Sequence, residues 1–223
     1  MWVKICGVST MKAALAAAEA GADAIGFVFA PSRRQVTPER AQALISALPA
    51  GVMTRVGVFV DAPAAEIRQT AAYAGLTHVQ LHGNEPPEML AELGLPVIKA
   101  FRVKDEADLA RLPAYRQAAG LLLEPYVEGQ AGGSGTSLNL NLFRQAAKVL
   151  AEAGVEVSGS DDPLLPGRPK LILAGGLSPE NVTDAIFQAA PGGVDVSSGV
   201  ETESEKDVNK IYQFVKLVRG ATR

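Results

Sequence analysis

Cys6 and Glu124 are the two side chains best suited to acid–base chemistry, because each closes a short apolar segment. Cys6 ends the segment 3–6, and as a thiolate it could remove a proton from carbon if its pKa fell below the ordinary value of about 8.5. Glu124 follows three leucines, and partial burial would favour its protonated form and suit it to donate a proton. The alternatives are a small buried cysteine and a solvated or salt-bridged glutamate.

Three further polar side chains follow other apolar segments and could contact a substrate. Arg34 forms a pair with Arg33, and a guanidinium group offers a planar fork to a carboxylate. Gln80 and His82 are two residues apart, so their side chains lie on the same side of a strand. An exposed basic loop and an ordinary histidine at the rim of the fold are the alternatives.

Two clusters of small residues near the C-terminus predict a phosphate site. Gly175 and Gly176 follow one apolar segment, and Ser197, Ser198 and Gly199 follow another. Small side chains let backbone N–H groups approach an anion closely. Tight turns without a ligand are the alternative interpretation.

Eight short apolar segments, each followed by a longer amphipathic one, would position these residues. The sequence predicts strands at 3–6, 24–29, 55–60, 78–81, 97–101, 121–124, 171–174 and 194–197, and helices at 10–20, 38–48, 64–74, 86–93, 106–119, 141–153, 179–190 and 207–219. The strands are apolar on both faces, which is typical of a parallel sheet covered by helices. We therefore predict an α/β fold, a single (β/α)₈ TIM barrel spanning 1–223, with an open doubly wound sheet as the alternative.

Two connections differ from the rest. The segment 154–169 is polar and rich in proline and glycine. In a barrel it joins a helix to a strand on the face away from the chemistry, so we expect a mobile insertion, or a subunit contact. The glycine-rich segment 132–135 is expected to be a flexible flap over the ligand.

The composition excludes several classes of protein. The chain has 223 residues, of which 48% are hydrophobic, and this length suits one barrel. The net charge of −3 gives no reason to expect a nucleic-acid partner. The single cysteine and two histidines predict neither a disulfide nor a metal site, and we expect no cofactor. The chain lacks a leader-like N-terminus and an 18-residue apolar run, so we expect a cytoplasmic protein that does not enter the membrane.

The motifs at the strand ends, taken in order, resemble those of the phosphoribosylanthranilate isomerase family of tryptophan biosynthesis. The resemblance runs from residue 4 to the last helix. It is carried by Lys4-Ile5-Cys6-Gly7, Gly26-Phe27-Val28-Phe29, Ser32-Arg33-Arg34, Val56-Gly57-Val58-Phe59, Gln80-Leu81-His82-Gly83, Leu173-Ala174-Gly175-Gly176-Leu177 and the segment 193–201.

The resemblance implies an Amadori rearrangement of N-(5-phosphoribosyl)anthranilate to 1-(2-carboxyphenylamino)-1-deoxyribulose 5-phosphate, without a cofactor, by a monomer or homodimer. It implies Cys6 as general base, and Glu124 as general acid where the family has an aspartate. Arg34 would face the anthranilate carboxylate, with Asp195 near the site. The phosphate would lie at Gly175, Gly176, Ser197, Ser198 and Gly199. The segment 138–140, Leu-Asn-Leu, also departs from the Phe-Asp-Trp that the family often has there.

Two other functions stay open from the sequence, and a third is excluded. A barrel of the indole-glycerol-phosphate synthase type needs a lysine high in the barrel, and Lys99 is a candidate. The ribulose-phosphate epimerase type needs metal ligands on several strands, whereas His78 and His82 lie on one strand. A barrel that keeps the phosphate site but has lost catalysis is the non-enzymatic alternative.

Overall fold

The structure, a computed structural model, describes residues 1–49, 51, 53–127 and 139–221. Eight parallel strands pair in chain order and close into a barrel, because β8 pairs with β1. This confirms the predicted (β/α)₈ barrel and rules out the open sheet. The strands are β1 (Trp2–Cys6), β2 (Ala24–Val28), β3 (Thr54–Phe59), β4 (His78–Leu81), β5 (Val97–Val103), β6 (Gly120–Pro125), β7 (Lys170–Leu173) and β8 (Gly193–Val196).

Helices connect successive strands on the outside of the barrel. They are α1 (Met11–Glu19), α2 (Pro38–Ser46), α3 (Ala64–Ala74), α4 (Met89–Glu92), α5 (Glu106–Leu109), α6 (Leu140–Glu152), α7 (Val182–Ala189) and α8 (Val208–Gly220). The hydroxyl oxygens of Thr10 and Thr37 accept backbone N–H groups at the starts of α1 and α2, so these threonines are N-caps. No helix in these described ranges has both the length and the apolar character needed to cross a membrane.

Three predicted helices are much shorter in the structure: the predicted helix 86–93 is reduced to α4, Met89–Glu92, and the other two are shortened for identifiable reasons. The predicted helix 106–119 divides into α5 and a separate 3₁₀ turn, Leu112–Tyr115. Pro113 lies in that turn, and proline interrupts the hydrogen bonding of a longer helix. The predicted helix 179–190 begins only at Val182, because Asn181 bonds the preceding loop through the Ser178 N–H and the Gly176 carbonyl.

A small hairpin follows the last barrel strand. A 3₁₀ turn, Ser198–Val200, leads into two short antiparallel strands, β9 (Glu201–Thr202) and β10 (Glu205–Lys206). Strands of two residues have no hydrophobic periodicity, so the sequence analysis did not predict this hairpin.

The core has two parts, because side chains alternate between the two faces of each strand. Residues that face outward pack against the helices in one large apolar cluster. Residues inside the barrel form a smaller cluster: Trp2, Ala24, Val56, Ile98, Ala100, Ala119, Leu122, Leu164, Ile172 and Ala174. Towards the carboxyl ends of the strands, the buried side chains that face inward become polar. The floor of the barrel is therefore mostly apolar, apart from the buried Lys170 at the start of β7, and its mouth carries polar groups.

The segment 154–169 lies at the opposite end of the barrel from that mouth. Leu164 is 7% exposed and belongs to the cluster inside the barrel. Ser158 pairs with Lys170 at the start of β7, and the Met1 ammonium group donates to Asp161 at 3.0 Å. The expected mobility of this segment stays a prediction, but its contacts cover the amino-terminal end of the barrel.

Candidate active site

A cavity at the carboxyl ends of the strands brings together ten of the eleven residues predicted for the site. They are Cys6, Arg34, Gln80, His82, Glu124, Gly175, Gly176, Asp195, Ser197 and Ser198. The eleventh, Gly199, does not line the cavity. A Cβ atom at Gly199 would collide with the carbonyl oxygen of Leu177. Gly199 thus lets the loops after β7 and β8 pack together.

Cys6 faces the cavity from the end of β1 and is 7% exposed. Burial raises the pKa of the thiol, while the positive charges of Lys4 and Lys206 act to lower it. Burial has the larger effect, so the pKa stays above the ordinary value of a thiol. Burial therefore disfavours the thiolate form of Cys6.

Lys4 is a residue of the site that the sequence analysis did not single out. Its side chain is fully buried, and its ammonium group donates to Asp195 Oδ1 at 2.6 Å. Burial lowers the pKa of Lys4, but the negative charges of Asp195 and Cys6 outweigh this and raise it above the usual value. A signal existed in the sequence: Lys4 is two residues before Cys6 and shares its face of β1.

Glu124 lies in a chain of side-chain hydrogen bonds across β4 and β6. Its Oε1 is 2.8 Å from His82 Nε2, and His82 Nδ1 is 3.0 Å from Gln80 Nε2. The Arg102 Nε atom is 3.8 Å from the same Glu124 oxygen. The buried glutamate is therefore neither a rim charge in solvent nor an isolated acid.

The Gln80 amide determines which His82 nitrogen carries hydrogen. An amide nitrogen only donates, so His82 Nδ1 accepts from Gln80 and His82 Nε2 donates to the Glu124 carboxylate. Gln80 Oε1 is buried without a hydrogen-bond partner in the described part of the chain. With the amide turned over, Oε1 would accept from Nδ1–H, and Nε2 would accept from a protonated Glu124. Gln80 and His82 can thus form hydrogen bonds that suit Glu124 either as a carboxylate or as a carboxylic acid.

Arg34 is held by a carboxylate of the protein itself. Glu201 Oε1 accepts from Arg34 Nε at 2.6 Å, and Oε2 accepts from Arg34 Nη2 at 3.0 Å. Glu201 also accepts from Lys206 at 2.6 Å and from Arg33 at 2.7 Å. Burial acts to raise the pKa of the Glu201 carboxyl, but the hydrogen bonds from Arg34 and Lys206 outweigh it and hold that pKa at about 2.

Through this ion-pair cluster, the hairpin β9–β10 fixes the position of the Arg34 side chain. A substrate carboxylate at Arg34 could use the three remaining N–H groups, two on Nη1 and one on Nη2, without displacing Glu201. Lys206 also donates to the Ser197 carbonyl at 2.9 Å, which ties the hairpin to the end of β8. The sequence analysis quoted Glu201 only within a motif and did not identify Lys206.

The predicted phosphate residues lie on two adjacent loops. Gly175 and Gly176 have φ values of 86° and 62°, which other residues rarely adopt, so the sharp turn after β7 requires glycine. The Ser197 hydroxyl donates to the Cys6 carbonyl at 3.1 Å, which links the loop after β8 to the end of β1. Ser198 lines the cavity beside these glycines.

Other candidate residues lie elsewhere. Lys99 faces away from the barrel interior and donates to the Gly83 carbonyl at 2.7 Å and to Glu85 at 2.9 Å, which removes the residue that the synthase alternative needed. Asn139 caps α6 by accepting from the Asn141 N–H. The predicted flap at 132–135 lies outside the described residues.

Comparison with known proteins agrees with this geometry. The family profile of N-(5'phosphoribosyl)anthranilate (PRA) isomerase matches residues 3–217. The N-(5'-phosphoribosyl)anthranilate isomerase of Symbiobacterium thermophilum is 66% identical over 223 residues, which is the whole of both chains. The solved phosphoribosyl anthranilate isomerase of Thermotoga maritima has a TM-score of 0.83 and 37% identity, covering 99% of each chain. Another solved isomerase, in complex with reduced 1-(o-carboxyphenylamino)-1-deoxyribulose 5-phosphate, has a TM-score of 0.79 and 36% identity over 99% of each chain. This chain therefore belongs to the N-(5'-phosphoribosyl)anthranilate isomerase family.

Proposed function

We propose that this protein isomerises N-(5'-phosphoribosyl)anthranilate to 1-(o-carboxyphenylamino)-1-deoxyribulose 5-phosphate in tryptophan biosynthesis, with Cys6 as general base and Glu124 as general acid. The observation that carries the proposal is that both side chains line one cavity, in a chain of this family. A phosphate is proposed to bind at Gly175, Gly176, Ser197 and Ser198, with Gly199 behind them. Gln80, His82 and Asp195 complete the proposed substrate site.

The first chemical step is proton donation from Glu124 to the ring oxygen of the ribose. The bond between that oxygen and C1 breaks, and the nitrogen lone pair forms the C1–N double bond of a Schiff base. Glu124 must begin as a carboxylic acid and ends as a carboxylate. The two arrangements of Gln80 and His82 fit these two states, because His82 Nε2 accepts in the first and donates in the second.

The second step is removal of the C2 proton by the Cys6 thiolate. The released electron pair forms the C1–C2 double bond of an enolamine, and the nitrogen becomes neutral. The C2 hydroxyl then loses its proton as C1 gains one, which gives the ketone, and proton exchange with solvent returns Cys6 to the thiolate and Glu124 to the acid. The sequence is a net isomerisation, since no electron pair leaves the substrate and no outside oxidant or reductant takes part.

Arg34 is proposed to bind the carboxylate of the anthranilate ring. Its planar guanidinium group matches a carboxylate, as its bidentate contact with Glu201 already demonstrates within the protein. Glu201 holds the guanidinium group in place and is itself held by Lys206, so the arginine does not need to be ordered by the substrate.

The proposal is tested by following the loss of substrate fluorescence with the parent protein and with Cys6→Ser and Glu124→Gln. Removing a general acid or base costs about 10²- to 10⁴-fold in rate, so we expect kcat to fall by at least about 100-fold in each variant. Both variants should still bind the non-reacting reduced product analogue, measured by calorimetry. The matched control is Lys99→Met, on the outward face of β5.

Two outcomes would contradict the proposal. If both variants turned over at the parent rate, the assigned roles of Cys6 and Glu124 would be wrong. If the parent protein bound the analogue but did not convert the substrate at a rate on the order of 1 s⁻¹, the barrel would be a binding protein instead.

A further inference from the structure

A fully buried lysine lies directly beneath the proposed base. Lys4 has no exposed surface, and Asp195, which accepts from it at 2.6 Å, is itself buried. The two residues are partners in the register between β1 and β8. A buried ammonium group is costly unless it is paired, and replacing such a pair with apolar side chains often leaves stability unchanged or improved. Stability alone therefore gives no reason for a charge at this position.

The position of Gly26 indicates how close Lys4 lies to Cys6. A Cβ atom at Gly26 would come within 2.8 Å of the Cys6 sulfur and 3.3 Å of Lys4 Cε. The sulfur and the end of the lysine side chain therefore share the space that the missing side chain of Gly26 leaves on β2. Because Lys4 and Cys6 also occupy the same face of β1, the ammonium group is next to the sulfur.

We propose that Lys4 is a positioning residue whose buried ammonium group, fixed by Asp195, is the counter-ion that stabilises the Cys6 thiolate. The inference rests on the proposed function, in which that thiolate removes the C2 proton. It gives the buried pair a chemical role: Asp195 prevents the ammonium group from turning away, and the ammonium group stabilises a negative charge on the buried Cys6 sulfur.

Other charges around Cys6 are weaker candidates for this role. Burial raises the pKa of Cys6, and among the opposing influences that of Lys4 exceeds that of Lys206. Lys206 is already engaged with Glu201 at 2.6 Å. Asp195 raises the pKa of Cys6 and so acts against the thiolate. Among the residues that the structure describes, the remaining charged or titratable groups that line the same cavity are Arg34, His82 and Glu124.

The test is the pH dependence of Cys6 alkylation by iodoacetamide, followed by mass spectrometry. Cys6 is the only cysteine of the chain, so the reaction reports on it alone. An opposite charge within about 4–6 Å shifts a pKa by about 1–3 units, so we expect Lys4→Met and Lys4→Gln to raise the alkylation midpoint by about one pH unit or more. Their kcat should fall about tenfold or more while binding of the reduced product analogue persists.

Lys170→Met is the matched control. Lys170 is another fully buried lysine, but it begins β7 at the other end of the barrel and donates to the Gly159 carbonyl. Its replacement should leave the Cys6 midpoint unchanged. Lys4→Gln is included in case Lys4→Met fails to fold, because the glutamine amide can still donate to Asp195. Circular dichroism with thermal melting checks the fold of each variant.

The outcomes separate this inference from the proposed function. If a folded Lys4→Gln protein kept the parent midpoint, Lys4 would serve only to join β1 to β8, and the inference would be overturned. If instead the midpoint moved but Cys6→Ser kept parent turnover, the role of Lys4 beside the sulfur would stand and the assignment of Cys6 as base would fail.

Discussion

At the scale of single residues, the placement of Glu124 sets this chain apart from the pattern that its motifs resemble. A glutamate occupies the position where the resemblance implies an aspartate, so its carboxyl lies one methylene farther from the backbone. The structure accommodates that length, because Oε1 reaches His82 at 2.8 Å and stays 3.8 Å from Arg102 Nε. The carboxyl, His82 and Gln80 are thus matched to one another.

We expect Glu124→Asp to be a poor enzyme, even though it restores the residue that the resemblance implies. Shortening the side chain withdraws the carboxyl by roughly 1.5 Å and breaks its bond to His82, and a misplacement of about 1 Å can cost up to about 100-fold in rate. Steady-state kinetics should give a kcat about 10- to 100-fold below that of the parent, with KM changed little. A variant as active as the parent would mean that the bond to His82 is not needed.

The sequence predicted residues of the cavity where a polar side chain follows an apolar strand. Cys6, Glu124 and His82 all met that rule, since the ends of the strands in a closed barrel converge on one mouth. Lys4 did not, because it lies inside a strand and its partner Asp195 is 191 residues away along the chain. Only the register between β1 and β8 brings the two together, and that register depends on barrel closure.

At the scale of secondary-structure elements, the short hairpin β9–β10 determines where the Arg34 side chain lies. Its two ends supply Glu201 and Lys206, which bond each other, and Glu201 fixes Arg34 at the mouth of the barrel. Neither strand could be predicted from hydrophobic periodicity, whereas the eight barrel strands could, because each is a buried apolar run. The helices were predicted least well where a proline divided a predicted helix or an asparagine delayed its start.

The ion pairs of Glu201 should make the free energy of unfolding depend on pH in the acid range. The pKa of Glu201 is about 2 in the folded protein, below the 4.5 of an unperturbed glutamate. A depressed pKa contributes stability that is complete above pH 4.5 and is lost as the pH falls towards 2, at no more than about 1.4 kcal/mol per pH unit for one proton. We therefore expect the gap in unfolding free energy between the parent and Glu201→Gln to narrow between pH 4.5 and 2, measured by urea denaturation.

Glu205→Gln is the control for that measurement, because Glu205 is an exposed residue of the same hairpin. Its unfolding free energy should follow that of the parent throughout the range. A constant gap between Glu201→Gln and the parent from pH 7 to pH 2 would show that the ion pairs at Glu201 add nothing to acid stability.

At the scale of the whole molecule, the polar site and the apolar packing that stabilises the fold lie towards opposite ends of the barrel. The polar cavity occupies the carboxyl ends of the strands, and the apolar cluster with Leu164 occupies the interior towards the other end. This division is usual for the fold, in which residues at the catalytic face serve chemistry and those at the opposite face serve stability. The sequence predicted which face the segment 154–169 covers, but a polar, proline-rich segment carries no signal that one of its leucines is buried.

Leu164→Ala tests this separation and the packing of the segment together. Leu164 is 7% exposed, and a Cβ atom at Gly120 would lie 3.4 Å from its Cδ2 atom, so the side chain fills space beside β6. Truncating a buried leucine costs about 2–5 kcal/mol, and we expect about 2 kcal/mol or more in urea denaturation. The kcat and KM should not change, because the reacting groups lie at the other end of the barrel.

Leu165→Ala is the matched control, since the adjacent leucine is 56% exposed and its truncation should cost less than about 0.5 kcal/mol. Equal and small losses in the two variants would mean that the segment does not pack on the barrel in solution and is the mobile insertion that its composition predicts.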